Sequence, residues 1–74
     1  MNQHHLITMA NQIAAFFETM PDRPQALRDF ALHIKRFWEP RMRCALLEYA
    51  EQQDGLDLKE IARESIRIHA DAIR

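Results

Sequence analysis

The stretch Arg36-Phe37-Trp38-Glu39-Pro40-Arg41-Met42-Arg43 contains the only tryptophan and one of the three prolines of the chain. Pro40 predicts a helix start, because a proline in the first turn loses no hydrogen bond. Arg41 and Arg43 then fall in that first turn, where the helix dipole favours acids. When a sequence departs from such a local preference and no neighbouring residue compensates for it, the departing residue often has a function. We therefore expect a helix–helix corner plugged by Trp38, whose arginines are either solvated or bind an anion or a partner.

The remaining sequence predicts an all-α chain. It has a single glycine, no strand-like alternation and apolar residues repeated at intervals of three and four. Asp22 is expected to cap the second helix, with Gln25 at the spacing of a capping box. The four expected helices span about 4–19, from the Asp22 cap to the Trp38 junction, from Pro40 to about 52, and about 58–73. We predict a small antiparallel bundle with proline corners, forming one domain over residues 1–74, whose last helix can project as an arm.

The expected core consists of the apolar positions at helical spacing. Phe16 widens the apolar face of the first helix beyond what a surface helix needs, whereas Leu32, Cys44 and Leu47 lie off the apolar faces of their helices. The core positions are Leu6, Met9, Ala10, Ile13, Phe17 and Met20 in the first helix, Leu27, Phe30, Ala31, Ile34, Phe37 and Trp38 in the second, Met42, Ala45, Leu46, Tyr49 and Ala50 in the third, and Leu58, Ile61, Ala62, Ile68, Ala72 and Ile73 in the fourth.

The start of the fourth helix has several local signals. Gly55 is placed for a left-handed cap at the end of the third helix. Asp57 is expected to cap the fourth helix, with Glu60 three residues later. Leu56 and Ile61 are spaced as a hydrophobic staple. These signals predict a helix start within two residues of Leu58.

Two polar residues interrupt the apolar face of the fourth helix. Ser65 and His69 are four residues apart and therefore share one side of a helix. One interpretation is a serine bonded back to a carbonyl and a histidine at the rim of the bundle. The alternative is that this helix docks on another protein, which satisfies both groups.

Size and composition bound the class of protein. A chain of 74 residues is near the lower limit for a self-sufficient core, so we expect support from a partner, or self-association when the chain is isolated. The lone Cys44 excludes an internal disulfide and is typical of the reducing cytoplasm. A polar N-terminus and the lack of a long apolar run predict no secretory leader and no membrane span.

The charge distribution favours a specific contact over general binding to nucleic acid. The net charge is −1, but residues 28–43 carry five cations and two acids, giving +3, and the remaining residues give −4. Arginine outnumbers lysine eight to two, and its planar fork suits paired contacts with carboxylate or phosphate. The basic residues near Trp38 are therefore candidates for binding an acidic group.

The sequence contains little that could support catalysis. His4 and His5 diverge by about 100° on a helix, so they cannot share a metal ion. Cys44 has no histidine at a spacing that would indicate a nucleophilic site. A phosphate-binding loop needs more than one glycine, and the chain has only one. We therefore expect no catalytic, cofactor-binding or metal-binding residue, and a protein that is not an enzyme.

Two classes of binding remain. A protein-docking module is favoured by the wide apolar face of the first helix, by Leu32 and Leu47 off the apolar faces of their helices, and by the basic residues around Trp38. Tryptophan and arginine are also enriched in interface hot spots. A nucleic-acid or nucleotide-binding module would use the cations around Trp38. That alternative is weaker, because the remaining chain is acidic and lacks a recognition-helix pattern.

Several motifs resemble those of a known family, in matching order and spacing over about residues 5–56. The motifs are Met9-Ala10-Asn11-Gln12-Ile13, Phe16-Phe17, Met20-Pro21-Asp22-Arg23 and His33-Ile34-Lys35-Arg36-Phe37-Trp38-Glu39-Pro40-Arg41-Met42-Arg43. They resemble the delta subunit of soluble NAD-dependent molybdenum formate dehydrogenases. The block from Trp38 to Arg43 is the most specific of them, and the fourth helix has no matching motif.

The resemblance implies a non-catalytic accessory subunit of a cytoplasmic enzyme. In this family the large alpha subunit holds bis-molybdopterin guanine dinucleotide and iron–sulfur clusters, other subunits carry FMN and reduce NAD, and the delta subunit has no redox group. The expected role is to bind the alpha subunit and support its assembly or stability, or alternatively to act as a transient factor for cofactor insertion. The expected contact residues are Lys35, Arg36, Phe37, Trp38, Arg41 and Arg43.

Overall fold

The computed structural model describes residues 2–53 and 55–74, so Met1 and Asp54 of the predicted domain lie outside the described residues. Four helices make up this part of the chain, and their bounds are α1 Gln3–Phe17, α2 Arg23–Phe37, α3 Pro40–Gln52 and α4 Glu60–Ile73. The described residues measure 33 × 21 × 18 Å along their principal axes and contain no strand. The predicted small all-α bundle is confirmed.

Local signals determine the first two helix starts. Asn2 caps α1, since its side-chain oxygen accepts the N–H groups of His4 at 2.8 Å and His5 at 3.4 Å. Asp22 caps α2 as predicted, and its carboxylate accepts the Gln25 N–H at 3.2 Å. Such caps satisfy amide donors that have no partner within the helix.

The end of α1 comes two residues before the predicted Thr19. The amides of Thr19 and Met20 donate to the carbonyls of Phe16 and Phe17, at 3.3 and 3.1 Å, in turns tighter than an α-helix. The Thr19 hydroxyl also donates to the Phe16 carbonyl at 2.7 Å. These bonds satisfy the carbonyls of Phe16 and Phe17 at the end of α1, and the chain then turns at Pro21.

The last helix is a central part of the bundle. α4 packs most closely against α2, and the Ser65 hydroxyl, fully buried, donates to the Leu27 carbonyl of α2 at 2.6 Å. Ser65 is therefore satisfied by a neighbouring helix, and the expectation of a projecting arm is wrong. His69 lies half-buried where α4 is kinked, with φ −112° and ψ 26°.

The start of α4 differs from the prediction. The helix begins at Glu60, two residues after Leu58, and Lys59 is the N-cap without a side-chain cap bond. The Asp57 side chain does not cap the helix, and Leu56 is 74% exposed, so there is no staple with Ile61. The local capping signals were thus overridden, although the boundary prediction was correct to two residues.

A residue of α1 holds this connection instead. The Asn11 amide oxygen accepts the Lys59 N–H at 2.8 Å, and its amide nitrogen donates to the Asp57 carbonyl at 2.9 Å. The Tyr49 hydroxyl accepts the Asp57 N–H at 3.1 Å. Gly55 adopts the predicted left-handed conformation, with φ 59°, and its carbonyl accepts the Leu58 N–H at 2.9 Å.

Several core assignments are corrected by the packing, and one of them is Ala72, which is exposed. Phe37 is exposed, because the chain turns after it and Trp38 occupies the core position. Leu47 is buried, because α1 and α4 both pack against α3 and cover more than one of its faces. Ile68 is exposed and Ile66 is buried in its place, since residues two apart on a helix point about 200° from each other.

Candidate partner interface

Trp38 forms the corner between α2 and α3, as the sequence predicts. It is only 5% exposed and packs within the core, while its backbone N–H completes α2 by donating to the Ile34 carbonyl at 3.0 Å. Pro40 starts α3 two residues later. Trp38 therefore stabilises the corner from inside and has little surface to offer a partner.

Arg43 has a partner within the chain. Its Nη1 donates to the carbonyls of Trp38 at 2.8 Å and Lys35 at 3.2 Å, which lie at the negative end of the α2 dipole. The cost of an arginine at the start of α3 is thus offset by the end of α2, and the expectation of an uncompensated arginine does not hold for Arg43.

The other three cations of the corner point into solvent. Lys35, Arg36 and Arg41 are all exposed. None of them takes part in the ion pairs found among residues 2–53 and 55–74, which are Arg23–Glu64, Lys59–Glu18 and Arg74–Asp71. We call Lys35, Arg36 and Arg41 the basic corner. Their charges are free to meet an acidic group from outside the chain.

Two of the ion pairs connect helix α4 to distant parts of the chain. Arg23 at the start of α2 donates through Nε and Nη2 to one Glu64 oxygen, at 3.1 and 2.6 Å, and this hydrogen bond raises the pKa of Arg23. Lys59 reaches Glu18 at 3.2 Å. Both pairs are partly exposed, so solvent screening keeps their contribution to stability small.

A row of aromatic rings crosses the surface from α1 to α2. Ring centroids are 5.1 Å apart between Phe16 and Phe17, 5.9 Å between Phe17 and His33, and 4.8 Å between His33 and Phe37. Phe16 is 68% and Phe37 71% exposed. We call these four residues the aromatic row. It places two large apolar side chains in solvent, and one of them, Phe37, lies at the end of α2 that carries the basic corner.

The aromatic row is anchored to the core and borders a shallow depression. Phe17 meets the fully buried Phe30 edge to face, with centroids 6.4 Å apart. The depression has a volume of about 280 Å³. Its lining residues are Gln12, Ile13, Phe16, Phe17 and His33. This part of the surface is apolar and is shaped to receive a protruding group.

A second, larger groove lies between α3 and α4, with a volume of about 620 Å³. Its apolar floor includes Leu47 and Ile66, and charged side chains of both signs form its walls. The wall residues are Glu51, Glu60, Arg63, Glu64, Arg67 and Arg74. Because its walls carry charges of both signs, this groove shows no clear preference for one kind of ligand.

Among residues 2–53 and 55–74, no cluster of three or more His, Cys, Asp or Glu side chains could hold a metal ion. Cys44 is exposed. Over the same residues, every helix is too short or too polar to cross a membrane.

Most of the aromatic row is not among the contact residues predicted from the sequence. Phe37 is predicted both as a core residue and as a contact residue, and His33 is given no role, although the two are four residues apart and so share a helix face. The wide apolar face of α1 was a usable signal, because Phe16 is the residue that extends it into solvent. The contact between Phe17 and His33 joins two helices, and no spacing within either helix predicts it.

Comparison with known proteins agrees with the resemblance noted in the sequence. The family model of the NADH-dependent formate dehydrogenase delta subunit, FdsD, matches residues 5–66. The match includes nearly all of α1, the whole of α2 and α3, and α4 as far as Ile66. No curated protein and no solved structure matches the chain.

Proposed function

This chain belongs to the NADH-dependent formate dehydrogenase delta subunit family, and from that premise we propose that it is an accessory subunit that binds the large subunit and supports its assembly or stability. The family match carries the proposal, because it runs through the corner at Trp38 and through both helices of the aromatic row. A small bundle with exposed aromatic and basic side chains is suited to docking on a larger protein.

The proposed contact includes the basic corner. Arg36 and Arg41 are exposed and outside the ion pairs of the described residues, and they would pair with carboxylates or bound phosphates on the large subunit. Phe37 would contribute apolar area beside them. Trp38 and Arg43 would act indirectly, since one plugs the corner and the other caps α2.

The proposed role is non-catalytic and cytoplasmic. Bis-molybdopterin guanine dinucleotide and the iron–sulfur clusters would be held by the large subunit, and FMN and the NAD site by other subunits. The chain would contribute rigid surface to the complex and no redox group.

The first test is affinity capture of the tagged full chain from cells grown on formate, with mass spectrometry of the proteins that accompany it. We expect the large subunit at a fixed stoichiometry, together with the flavin-containing and iron–sulfur subunits. Capture of only cofactor-free large subunit would instead identify a transient insertion factor. Capture of nucleic acid without any formate dehydrogenase subunit would overturn the proposal.

A paired charge reversal tests the basic corner. We expect the double variant Arg36→Glu/Arg41→Glu to lose the large subunit in the same capture experiment while retaining its helical circular dichroism, because both side chains are exposed. The matched control is Arg63→Glu/Arg67→Glu, which reverses two exposed cations outside residues 28–43 and should leave the complex intact. Equal recovery of the large subunit with both double variants would exclude a role for the basic corner.

A further inference from the structure

We infer that the aromatic row, and not the basic corner alone, is the surface that the large subunit covers, and that it docks into an apolar groove rimmed by acids. The inference rests on the proposed function and deepens it. It extends the contact from the end of α2 across to α1 and adds Phe16, Phe17 and His33 to the interface.

The aromatic row exposes two large apolar side chains, Phe16 and Phe37. Single apolar side chains on a surface are ordinary, but Phe16 and Phe37 are connected through Phe17 and His33 by ring contacts of 4.8–5.9 Å. A continuous apolar patch bordered by polar residues is typical of a protein-binding site. Each phenylalanine also offers a large area for burial, on the order of 150–250 Å².

The aromatic row is anchored to the core through Phe17. Phe17 is held against the buried Phe30, and His33 lies between Phe17 and Phe37. A surface that is already ordered loses less conformational entropy on binding than a mobile one. The row therefore has the preorganisation expected of an interface anchor.

The size of the adjoining depression indicates the kind of occupant. At about 280 Å³ it is at the small end of the roughly 300–1,000 Å³ range of ligand pockets. Its lining is largely apolar and includes the side chains of Ile13, Phe16 and Phe17. It is suited to one apolar side chain that projects from a partner protein, with Phe16 and Phe37 packing on either side of the contact.

Charge complementarity selects the large subunit over a second copy of this chain. Residues 28–43 carry a net charge of +3, and that count already includes Asp29 and Glu39. In a two-fold dimer the same patch faces itself, so the two basic corners would repel each other. An apolar groove with acids at its rim would instead attract Arg36 and Arg41, which raises the association rate and favours correct partners.

The test measures binding of the full chain to purified large subunit. We expect Phe16→Ala and Phe37→Ala each to raise Kd by roughly 30-fold, the effect of removing an interface hot spot. Leu56→Ala is the matched control, because Leu56 is 74% exposed and lies outside the row. Its Kd should stay within about threefold of wild type, as expected for a side chain outside the interface. Association of the wild-type chain should slow as sodium chloride is raised.

The possible outcomes separate the inference from the proposed function. Wild-type binding with unchanged affinity of both phenylalanine variants, or an equal loss in Leu56→Ala, would overturn the inference and leave the proposed function standing. Failure of the folded wild-type chain to bind the large subunit would overturn both. A dimer of the isolated chain that Phe37→Ala abolishes would assign the row to a second copy and overturn the inference.

Discussion

The corner between α2 and α3 and the connection that leads from α3 into α4 are held in different ways. The corner depends on close neighbours, since Arg43 bonds to carbonyls five and eight residues away. The connection depends on Asn11, which bonds to Asp57 and Lys59 across separations of 46 and 48 residues. One is therefore largely local, and the other requires the bundle to be assembled.

This difference explains why the sequence predicts one site better than the other. The corner is predicted from Pro40 and Trp38 by preferences that act within a few residues, such as that of proline for the first turn of a helix. The connection has equally good local signals in Asp57 and Glu60, but the structure does not use Asp57 as a cap. A side chain from another helix can satisfy the same backbone groups, and packing then decides which arrangement forms.

Breaking the corner should have the largest effect on stability. Trp38→Ala removes a buried aromatic side chain and should cost about 3–5 kcal/mol in free energy of unfolding. That is comparable to the roughly 3–5 kcal/mol that a core of this size supplies, so we expect the isolated variant to be largely unfolded in circular dichroism. Phe37→Ala, its exposed neighbour, should stay within about 0.5 kcal/mol of wild type. A cooperative melt of Trp38→Ala near the wild-type Tm would contradict the role of Trp38 as the plug.

Breaking the connection should have an intermediate effect. Asn11→Ala removes two side-chain hydrogen bonds and should lower the free energy of unfolding by about 1–2 kcal/mol. In a domain of this size each kcal/mol corresponds to a fall in Tm of about 4–8 °C. Gln12→Ala, an exposed amide beside it, should leave the Tm within a few degrees, as expected for a surface change of about 0.5 kcal/mol or less. Equal melting temperatures for the two variants would show that Asn11 does not hold the start of α4.

The smallest effect, and the sharpest comparison, comes from two aspartates at helix starts. Asp22→Ala removes a cap that accepts the Gln25 N–H and should cost about 1 kcal/mol. Asp57→Ala should cost less than about 0.5 kcal/mol, because only its backbone groups bond to Asn11 and Tyr49. Chemical denaturation of both variants measures the difference. A loss on Asp57→Ala as large as that on Asp22→Ala would restore the capping role predicted from the sequence.

The candidate interface was predictable only in part. Arg36 and Arg41 were identified from their place in the chain and are exposed. Trp38 and Arg43 belong to the same sequence block, but one is buried and the other bonds to the end of α2. Spacing along a helix cannot show whether a side chain will meet solvent or a neighbouring element. Phe16, on α1, joins the surface only through contacts between helices.

Helical periodicity, proline geometry and family motifs are properties of neighbouring residues, and they are enough to predict the helical class, the corner at Trp38 and the family. The exposure of Phe37, the burial of Leu47 and the bond from Ser65 to α2 depend instead on contacts between helices. The physical reason is that burial depends on which faces the other helices cover. That arrangement is set by the packing of the whole bundle, and the aromatic row is the surface that this packing leaves open.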